Sequence, residues 1–534
     1  MDSSIITKNE TKHILNNKLL YKVIYLAFIF FVVLPVAYTF ISALFFEDSF
    51  LSNLGVLKSN TFLLLAKSGF IALIIALLST FFGMILGFIL YKLKVRFNSF
   101  FKIALLIPLF LSPYIFAVAW KDLFFLLFGT ANFISSSFGV ILVLTMIYTP
   151  LSMLIIGSAF TNIHAQLEDA GIVITNVKTV IFKITLPLIK HALLSSFVLV
   201  FIFSISEFSV PAFFGVQVFT TEIFTQFSAF YNHSLAILQS ALLIFICIIL
   251  LLTEGKYIAN ALFLSVGSKG MKNKIYDIKS WNQFGMTILI FWFLISVILP
   301  FIVLFIQSFK DGISKFIQAF ELLGPTFGNS VGLAFFGAFL IVVVGFTAAF
   351  YSARQSNQKE GSFDWLLLII FAIPSTIFGI SLIKFYNHPM LEIIYSSYMI
   401  IIIAYIGKFS FISSKLIGNA IRQVPISLEE AAKIQGISSF NRLTGIWIPL
   451  ILPSLFISFM ISFIFSLGEL GTTIMIYPPG TEIMPIKVFT IMANAPQSLT
   501  SSMTLIVFSM TLLIITGFFL MIKPFIKKYH YAID

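Results

Sequence analysis

The stretches LEEAAKIQGISSFNRLTGIWIPLILP at 428–453 and LEDAGIVITNVKTVIFKITLPLIKHA at 167–192 are two versions of one sequence. Each begins with a short polar segment and ends in an apolar step that contains a proline. The two prolines, Pro187 and Pro449, lie 262 residues apart. A unit that recurs at a fixed spacing indicates an internal duplication, so the fold is predicted to consist of two similar halves.

Carboxylates recur at the same spacing. Glu168 pairs with Glu430, and Glu207 in FSISEF pairs with Glu469 in FSLGEL, again with an offset of 262 residues. A duplicated hydrophobic unit with a polar loop at the same place in each copy is a common plan among membrane transport proteins.

Composition places this chain in a membrane. Of its 534 residues, 59% are hydrophobic and 10% are charged, whereas a typical soluble domain has about 25% charged residues. The single cysteine, Cys247, excludes a disulfide framework and any multi-cysteine metal site. A net charge of +12 would suggest nucleic acid as a partner of a soluble protein. Here the charges lie between apolar runs, so the predicted partner is membrane lipid and not nucleic acid.

Apolar runs of about 20 residues, long enough to cross a bilayer, occur six times on each side of a polar join. The first run is too long for a signal-peptide core of about 7–15 residues, so we interpret it as a membrane span. The predicted spans are 23–46, 62–90, 103–128, 138–160, 190–215, 235–253, 284–308, 329–351, 365–386, 393–413, 450–476 and 501–522.

Lysine and arginine assign the sides of the membrane, because cytoplasmic loops retain them. With the N-terminus inside, most of the 33 basic residues fall in cytoplasmic segments, Lys408 and Lys415 among those assigned to the loop after the tenth span. An even number of spans per half makes the two copies parallel. The predicted organisation is a cytoplasmic N-terminus (1–22), a first repeat (23–253) with a cytoplasmic loop at 161–190, a cytoplasmic linker (254–282), a second repeat (283–522) with a loop at 414–449, and a cytoplasmic tail (523–534).

The second polar loop predicts a short, rigid helix. Ser427 is a candidate N-cap, and the acids at 429–430 suit the first turn. The small residues at 431–432 allow another protein to approach closely. Gly436 can end the helix in a left-handed cap, and Pro449 then starts or kinks the next span. A solvent-facing helix tied to a membrane helix can transmit a push.

The first loop is a decayed copy of the second. Its surviving residues are Leu167, Glu168, Asp169, Ala170 and Pro187. One residue is missing, so the position of Gly436 is taken by Ile174 or Thr175, and His191 replaces the second proline. We therefore expect the first helix to end in a different way.

The second loop resembles the coupling-loop signature of bacterial ABC importer permeases, in which Glu-Ala-Ala is followed by three residues, Gly and a proline-terminated apolar step. The matching residues are Glu430, Ala431, Ala432, Gly436, Ile446 and Pro449. Four further segments resemble fused two-half permeases of the ferric-iron type, so that the resemblance covers nearly the whole chain. They are SEFSVPAFFG (206–215), LIKFYNHP (382–389), SLGELGTTIMIYPPG (466–480) and MPIKVFTIM (484–492).

The resemblance implies an all-α polytopic protein of the bacterial inner membrane, with about 12 spans in two parallel six-helix repeats of the type I, MetI-like fold. It implies a permease for ferric iron that receives its solute from a periplasmic or lipid-anchored solute-binding protein. Two ABC ATPase subunits on the loops would drive alternating access. The implied ATPase-docking residues are Leu167, Glu168, Asp169, Ala170, Gly171, Pro187, Leu428, Glu429, Glu430, Ala431, Ala432, Gly436 and Pro449.

Other functions stay open. Thiamine, phosphonate or another small solute is the alternative within this class, and a secondary transporter driven by an ion gradient is the alternative outside it. A membrane-embedded enzyme would need clustered His or Asp at one depth. The sequence has no GxxxxGK[ST] motif, so ATP is expected on partner subunits only. No catalytic residue, bound cofactor or metal site is predicted, since the six histidines show no ligand spacing.

Glu207 and Glu469 lie near the ends of the fifth and eleventh spans. His191 and Glu207 are separated by about 24 Å of helix rise, which places each glutamate near the outer face. Either they form a gate or polar lining of the pathway, or they stabilise a loop or a helix N-terminus. The charges Lys121, Asp122 and Lys384 are predicted to be interfacial, because a charge at the bilayer centre is costly.

Prolines recur in comparable places in the two halves. Pro35 nearly matches Pro300, and Pro108 nearly matches Pro374, with Pro113 in addition. Proline either kinks a helix or ends it, and the sequence leaves both interpretations open.

Overall fold

The computed structural model describes residue 19 and residues 21–46, 59–261, 273–354 and 362–530. These residues form helices and connecting turns, with no strand among them and one isolated β-bridge, between Leu93 and Tyr276. The helices of the first half are α1 (21–46), α2 (Ser59–Lys92), α3 (Asn98–Phe110), α4 (Pro113–Phe128), α5 (Ser137–Thr161), α6 (Ala165–Ile174), α7 (Val177–Leu188), α8 (Lys190–Ser206), α9 (Ser209–Phe214), α10 (Phe219–Ser228) and α11 (His233–Ala261).

The second half repeats this order. Its helices are α12 (Lys279–Phe309), α13 (Ile313–Arg354), α14 (Ser362–Ala372), α15 (Ser375–Tyr386), α16 (Glu392–Tyr395), α17 (Met399–Gln423), α18 (Ile426–Ile434), α19 (Phe440–Gly468), α20 (Thr473–Ile476), α21 (Met484–Ile491) and α22 (Gln497–His530), with a 3-10 turn, Pro389–Leu391, before α16.

Twelve units within the described residues have the length and apolarity to cross a membrane, provided that each bent pair of helices counts as one. Nine are continuous, and three are pairs bent by 93° (α3–α4), 58° (α7–α8) and 105° (α14–α15). They follow the chain order of the twelve predicted spans. The chain is therefore an all-α, multi-pass membrane protein, as predicted.

Two of the sharp bends lie at prolines. Pro113 begins α4, and Pro374 precedes α15. Proline disfavours the helical conformation in the residue before it, so the chain leaves the first arm there and starts a second one. The sequence comparison that paired Pro108 with Pro374 was wrong, because Pro108 lies inside the first arm and Pro113 marks the equivalent break.

The other recurring prolines each follow a wider, π-helical turn. Four π-helical turns each end two residues before a proline, namely Pro35, Pro187, Pro300 and Pro449. In an α-helix the proline ring would clash with the carbonyl four residues earlier, and a wider turn relieves this clash. Pro35, Pro300 and Pro449 therefore lie inside continuous helices, whereas the helix that contains Pro187 ends one residue later, at Leu188.

The two halves are interlocked through their first helices. Helix α1 packs on α15 of the second half, where the Tyr386 hydroxyl donates to the Phe31 carbonyl over 2.9 Å. In the same way α12 packs on α4 of the first half. Beside this contact, Asp122 of α4 accepts hydrogen bonds from Gln497 and Ser501 of α22. Each half thus completes the other.

Of the charges predicted to be interfacial, Asp122 is 2% exposed and buried between the two halves. Its neighbour Lys121 lies over the ring of Phe213, 5.0 Å from the centroid. Lys384 is half-buried in the last turn of α15.

The predicted linker is shorter in the structure. Helix α11 continues to Ala261, and α12 begins at Lys279, so both helices enter the range predicted as a linker, 254–282. Residues 262–272, most of the predicted N-terminal segment and residues 531–534 of the predicted tail lie outside the described residues.

Candidate functional site

Helix α18 lies in the second predicted coupling loop, and α6 lies in the first; we call them the second and first coupling helices after that prediction. Helix α18 begins directly after Pro425, so the prediction that Ser427 is its N-cap was wrong, and Ser427 lies in the first turn. Its end is as predicted, because Gly436 has φ of +72°. The N–H groups of Gly436 and Ile437 donate to the carbonyls of Lys433 and Ala432, which satisfies groups that the helix end leaves open.

The first coupling helix is α6, which begins 261 residues before α18. Glu168 therefore occupies the position of Glu429, and the pairing of Glu168 with Glu430 was wrong for this loop. The missing residue lies at the helix end. There Thr175 is extended, and the Asn176 side chain caps the next helix by accepting from the Thr179 N–H over 2.9 Å. The predicted difference in the helix end is present.

Both coupling helices expose apolar side chains at matching positions. Leu167 and Leu428 are 51% and 46% exposed, and Val173 and Ile434 are each 87% exposed. In each helix one of these side chains lies in the first turn and the other in the last, and exposed apolar side chains mark a face that another protein can cover. This face recurs in both halves, although the motif acids do not share one environment.

The predicted docking residues divide into an exposed and a buried group. Asp169, Ala170 and Pro187 of the first loop and Glu430 and Ala431 of the second are exposed, whereas Glu168, Gly171 and Ala432 are buried. Gly171 packs closely, since a Cβ there would lie 2.7 Å from Cδ1 of Ile184 and that side chain would have to shift. In the second helix, Glu429 forms an ion pair with Lys433, one turn away, at 2.8 Å.

Glu207 and Glu469 line one cavity between the two halves, with a volume of about 390 Å³. Glu207 follows the last residue of α8 and accepts from the backbone N–H of Ser209 over 2.8 Å. Glu469 follows α19 and accepts from the N–H groups of Thr472 and Thr473 over 2.7 and 3.0 Å. Of the two roles that the sequence left open, the geometry shows stabilisation of a helix N-terminus by each glutamate, and it also places both carboxylates in the wall of this cavity.

A third charge in this cavity, Lys408, was missed by the sequence analysis. Its assignment to a cytoplasmic loop was wrong, because α17 runs unbroken through it and through Lys415. The Lys408 ammonium donates to the carbonyl of Ile373, at the break between α14 and α15, over 2.8 Å. It also lies within electrostatic range of Glu207 and Glu469. The signal was a lysine inside the predicted tenth span.

The cavity combines these three charges with apolar and hydroxyl-bearing side chains. Its lining includes Phe203, Phe409 and Phe465, with Ser206 and Ser375. Among the described residues no group of three or more His, Cys, Asp or Glu could hold a metal ion.

Residues 341–528 match the family of binding-protein-dependent transport system inner membrane components. The second half is a transport permease domain. The matched region contains α18, Lys408 and Glu469, and so includes the second coupling helix together with part of the cavity lining. With this assignment the chain is a permease subunit of an ABC importer in the inner membrane.

Relatives extend the match to most of the permease. This chain is 24% identical over 506 residues to the ferric transport system permease protein FbpB of Actinobacillus pleuropneumoniae, and the alignment covers 86% of this chain and 72% of that protein. It is 25% identical over 458 residues to the Fe(3+)-transport system permease protein FbpB 2 of Haemophilus influenzae, covering 83% and 85%. A Salmonella paratyphi A protein assigned to 2-aminoethylphosphonate transport, PhnV, is 23% identical and covers 42% of this chain and 88% of its own length.

Proposed function

We propose that this permease imports ferric iron, released from an extracytoplasmic binding protein, with energy from two ATPase subunits docked on α6 and α18. The observation that carries the solute is the extent of similarity. The ferric permeases align across both fused halves, over 86% of this chain, whereas the phosphonate relative aligns with 42% of it.

The second half offers a direct mechanical path from the docking surface to the cavity. Helix α19 follows α18 after a short turn and runs for 29 residues without a break, a length of about 43 Å. Its far end is followed by Glu469 in the cavity wall. A displacement of α18 by an ATPase would therefore move a carboxylate at the other end of one helix.

The first half transmits motion through a bent element. Helices α7 and α8 meet at 58°, and Glu207 follows α8. We infer that approach of the two ATPase subunits draws α6 and α18 together and opens the cavity outward, and that ATP hydrolysis returns it. In this mechanism both termini and both coupling helices face the cytoplasm, and ATP binds only to the partner subunits.

A phosphonate importer is the second candidate, and one observation favours it. Lys408 places a positive charge in the cavity, and an ammonium attracts a phosphonate but repels a bare ferric ion. If ferric iron is the solute, its passage requires the two carboxylates to outweigh this lysine or the iron to travel with anionic ligands.

Reconstitution in liposomes tests the proposal. The permease, its ATPase and its binding protein are combined, and uptake of radioactive Fe(III) is compared with uptake of 2-aminoethylphosphonate. We expect ATP-dependent iron uptake that disappears when the ATPase is omitted. Uptake of 2-aminoethylphosphonate without uptake of iron would identify a phosphonate, and not ferric iron, as the solute. Uptake driven by an ion gradient in the absence of any ATPase would remove the importer mechanism itself.

A further inference from the structure

A short segment between the two halves is bound to the first coupling helix. This junction segment, residues 273–277, immediately precedes α12 and passes beside the cytoplasmic end of α2. Tyr276 donates its N–H to the Lys92 carbonyl over 2.7 Å and accepts from the Lys94 N–H over 3.2 Å, which forms the isolated bridge. The Asn273 side chain donates to the Tyr91 carbonyl over 2.8 Å. The segment is therefore anchored along its length.

Under this segment lies a buried ion pair. The Lys92 ammonium and the Glu168 carboxylate are 2.8 Å apart, and both side chains are 0% exposed. Glu168 also accepts from the Thr185 hydroxyl over 2.8 Å, while Lys92 also donates to Asn273 over 2.7 Å. A buried pair is tolerated when its remaining hydrogen-bonding capacity is used, and removal of one partner leaves an uncompensated charge. Glu168 of α6 is thus fixed to α2.

Tyr276 closes this cluster from the junction side. Its hydroxyl donates to Glu168 over 3.1 Å, and its ring is 3% exposed. Burial, together with the negative charge of Glu168, raises the pKa of Tyr276 above its usual range, so the hydroxyl remains a donor at neutral pH. The same tyrosine therefore binds the end of α2 through its backbone and α6 through its side chain.

Two ion pairs flank the cluster. Lys274 pairs with Asp169 of α6, and Lys94 pairs with Asp277 at 2.7 Å. Both are solvent-accessible, so each contributes little on its own. Through these contacts both acids of the first coupling helix are paired with residues of this chain, Glu168 with Lys92 and Asp169 with Lys274.

The second coupling helix is held differently. The equivalent acid, Glu429, is paired with Lys433 of the same helix, and Glu430 is exposed. Among the described residues, the contacts of these two acids do not join α18 to α13, the counterpart of α2. The equivalent acids of the two coupling helices therefore differ in the residues that they bind.

We propose that Lys92, Asn273 and Tyr276 are positioning residues that fix the first coupling helix to α2, so that this helix moves together with α2, whereas the acids of α18 make no such link to a second membrane helix. The proposal rests on the proposed function, because it assigns unequal roles to the two docking sites. The attachment of α6 to α2, from which the proposal is argued, does not depend on any ATPase.

The first test uses the purified full-length chain without partners. Variants Asn273→Ala and Tyr276→Phe each remove contacts of the junction segment, and Lys92→Met/Glu168→Gln removes both buried charges in case a single charge change prevents folding. Hydrogen exchange of α6 amides is expected to accelerate about tenfold, which corresponds to the loss of one or two hydrogen bonds. The matched control, Glu429→Gln, should leave α6 unchanged. Unchanged exchange of α6 in all three variants would overturn the proposal.

The second test adds the ATPase and the binding protein. The ratio of solute imported to ATP hydrolysed is expected to fall at least severalfold in Asn273→Ala and Tyr276→Phe, while ATPase binding persists. Glu168→Gln should retain part of this ratio, since its amide still accepts from Tyr276 and Thr185. Faster α6 exchange with an unchanged ratio would reject the positioning role and leave a purely structural contact. Failure of wild-type chain to bind an ATPase would reject the proposed function and this role together, whereas the exchange data would still decide whether α6 is fixed.

Discussion

Gly436 follows the second coupling helix in a left-handed backbone conformation that few other residue types adopt. Its φ of +72° costs an ordinary L-residue about 1–2 kcal/mol, and a β-branched residue is less suited still. We expect Gly436→Val to distort the end of α18 and to reduce ATP-dependent uptake, with normal insertion into the membrane. Gly445→Ala, a substitution in the following helical turn with open space around it, is the control. Wild-type uptake by Gly436→Val would exclude a role for this helix end.

A second prediction concerns the charge of Lys408 in the cavity. Lys408→Met removes the hydrogen bond to the Ile373 carbonyl, and a buried group left without its partner costs about 1–3 kcal/mol. The carboxylates of Glu207 and Glu469 also lose their nearby cation. We expect a lower melting temperature, measured by intrinsic fluorescence, together with altered uptake. Lys315→Met, outside the cavity, should change neither. An unaltered Lys408→Met protein would show that this charge has no part in the pathway.

Single residues differed in how far the sequence could predict their positions. The left-handed cap at Gly436 was predictable, because glycine after a short polar helix has few other uses. The burial of Glu168 was not, since it depends on Lys92 and Tyr276, which are 76 and 108 residues away along the chain. The position of Lys408 was obscured by treating basic residues as loop markers, although its own predicted span contained it.

At the scale of elements, α18 is expected to be the main contact for an ATPase. Glu430 is exposed on this helix, one turn before the exposed Ile434. Glu430→Arg reverses a charge on the docking face, and we expect ATPase affinity to fall about tenfold, equivalent to about 1.4 kcal/mol. Asn441→Arg adds the same charge to an exposed position beyond the helix and serves as the control. Equal ATPase affinity for the two variants, measured by pull-down and titration, would place the docking surface elsewhere.

The contact between α4 and α22 supplies a second prediction for elements. Asp122 accepts from Gln497 and Ser501, and hydrogen bonds to a charged group contribute about 1.5–3 kcal/mol each. Asp122→Leu removes this acceptor from the Gln497 amide and leaves the Ser501 hydroxyl only the Gln497 carbonyl, so we expect a clear fall in melting temperature. Asp122→Asn retains one acceptor oxygen and should lose less. If the two variants are equally stable, the buried carboxylate does not hold the halves together.

The elements themselves were largely predictable. Apolar length identified all twelve spanning units in order, because a bilayer sets a minimum length for each. It could not show that three of them are bent by 58° or more. The bend at α7–α8 falls at Ile189, two residues after Pro187, whereas the other two bends lie directly at Pro113 and Pro374. Which prolines sit at sharp bends and which follow π-helical turns became clear only in the structure.

At the scale of the whole molecule, duplication predicted two similar halves but not their interlocking. Similar halves could have packed as separate bundles. Instead α1 lies on α15 and α12 lies on α4, and the junction segment binds α6. Such exchange depends on which surface each first helix finds, and a repeat in the sequence carries no information on that choice.

Interlocking predicts that the covalent join is dispensable once the permease has folded. A protease site inserted between residues 266 and 267 would allow the intact, purified chain to be cut there. The cut fragments are expected to stay together, because separation would expose the Tyr386–Phe31 contact, the buried Asp122 and the Lys92–Glu168 pair at once. We expect a single peak in size-exclusion chromatography after complete cleavage and ATP-dependent uptake close to that of uncut protein. The uncut insertion variant is the control, since any loss it shows comes from the insertion alone. Fragments that elute separately would mean that the linker, and not the exchanged helices, holds the two halves in register.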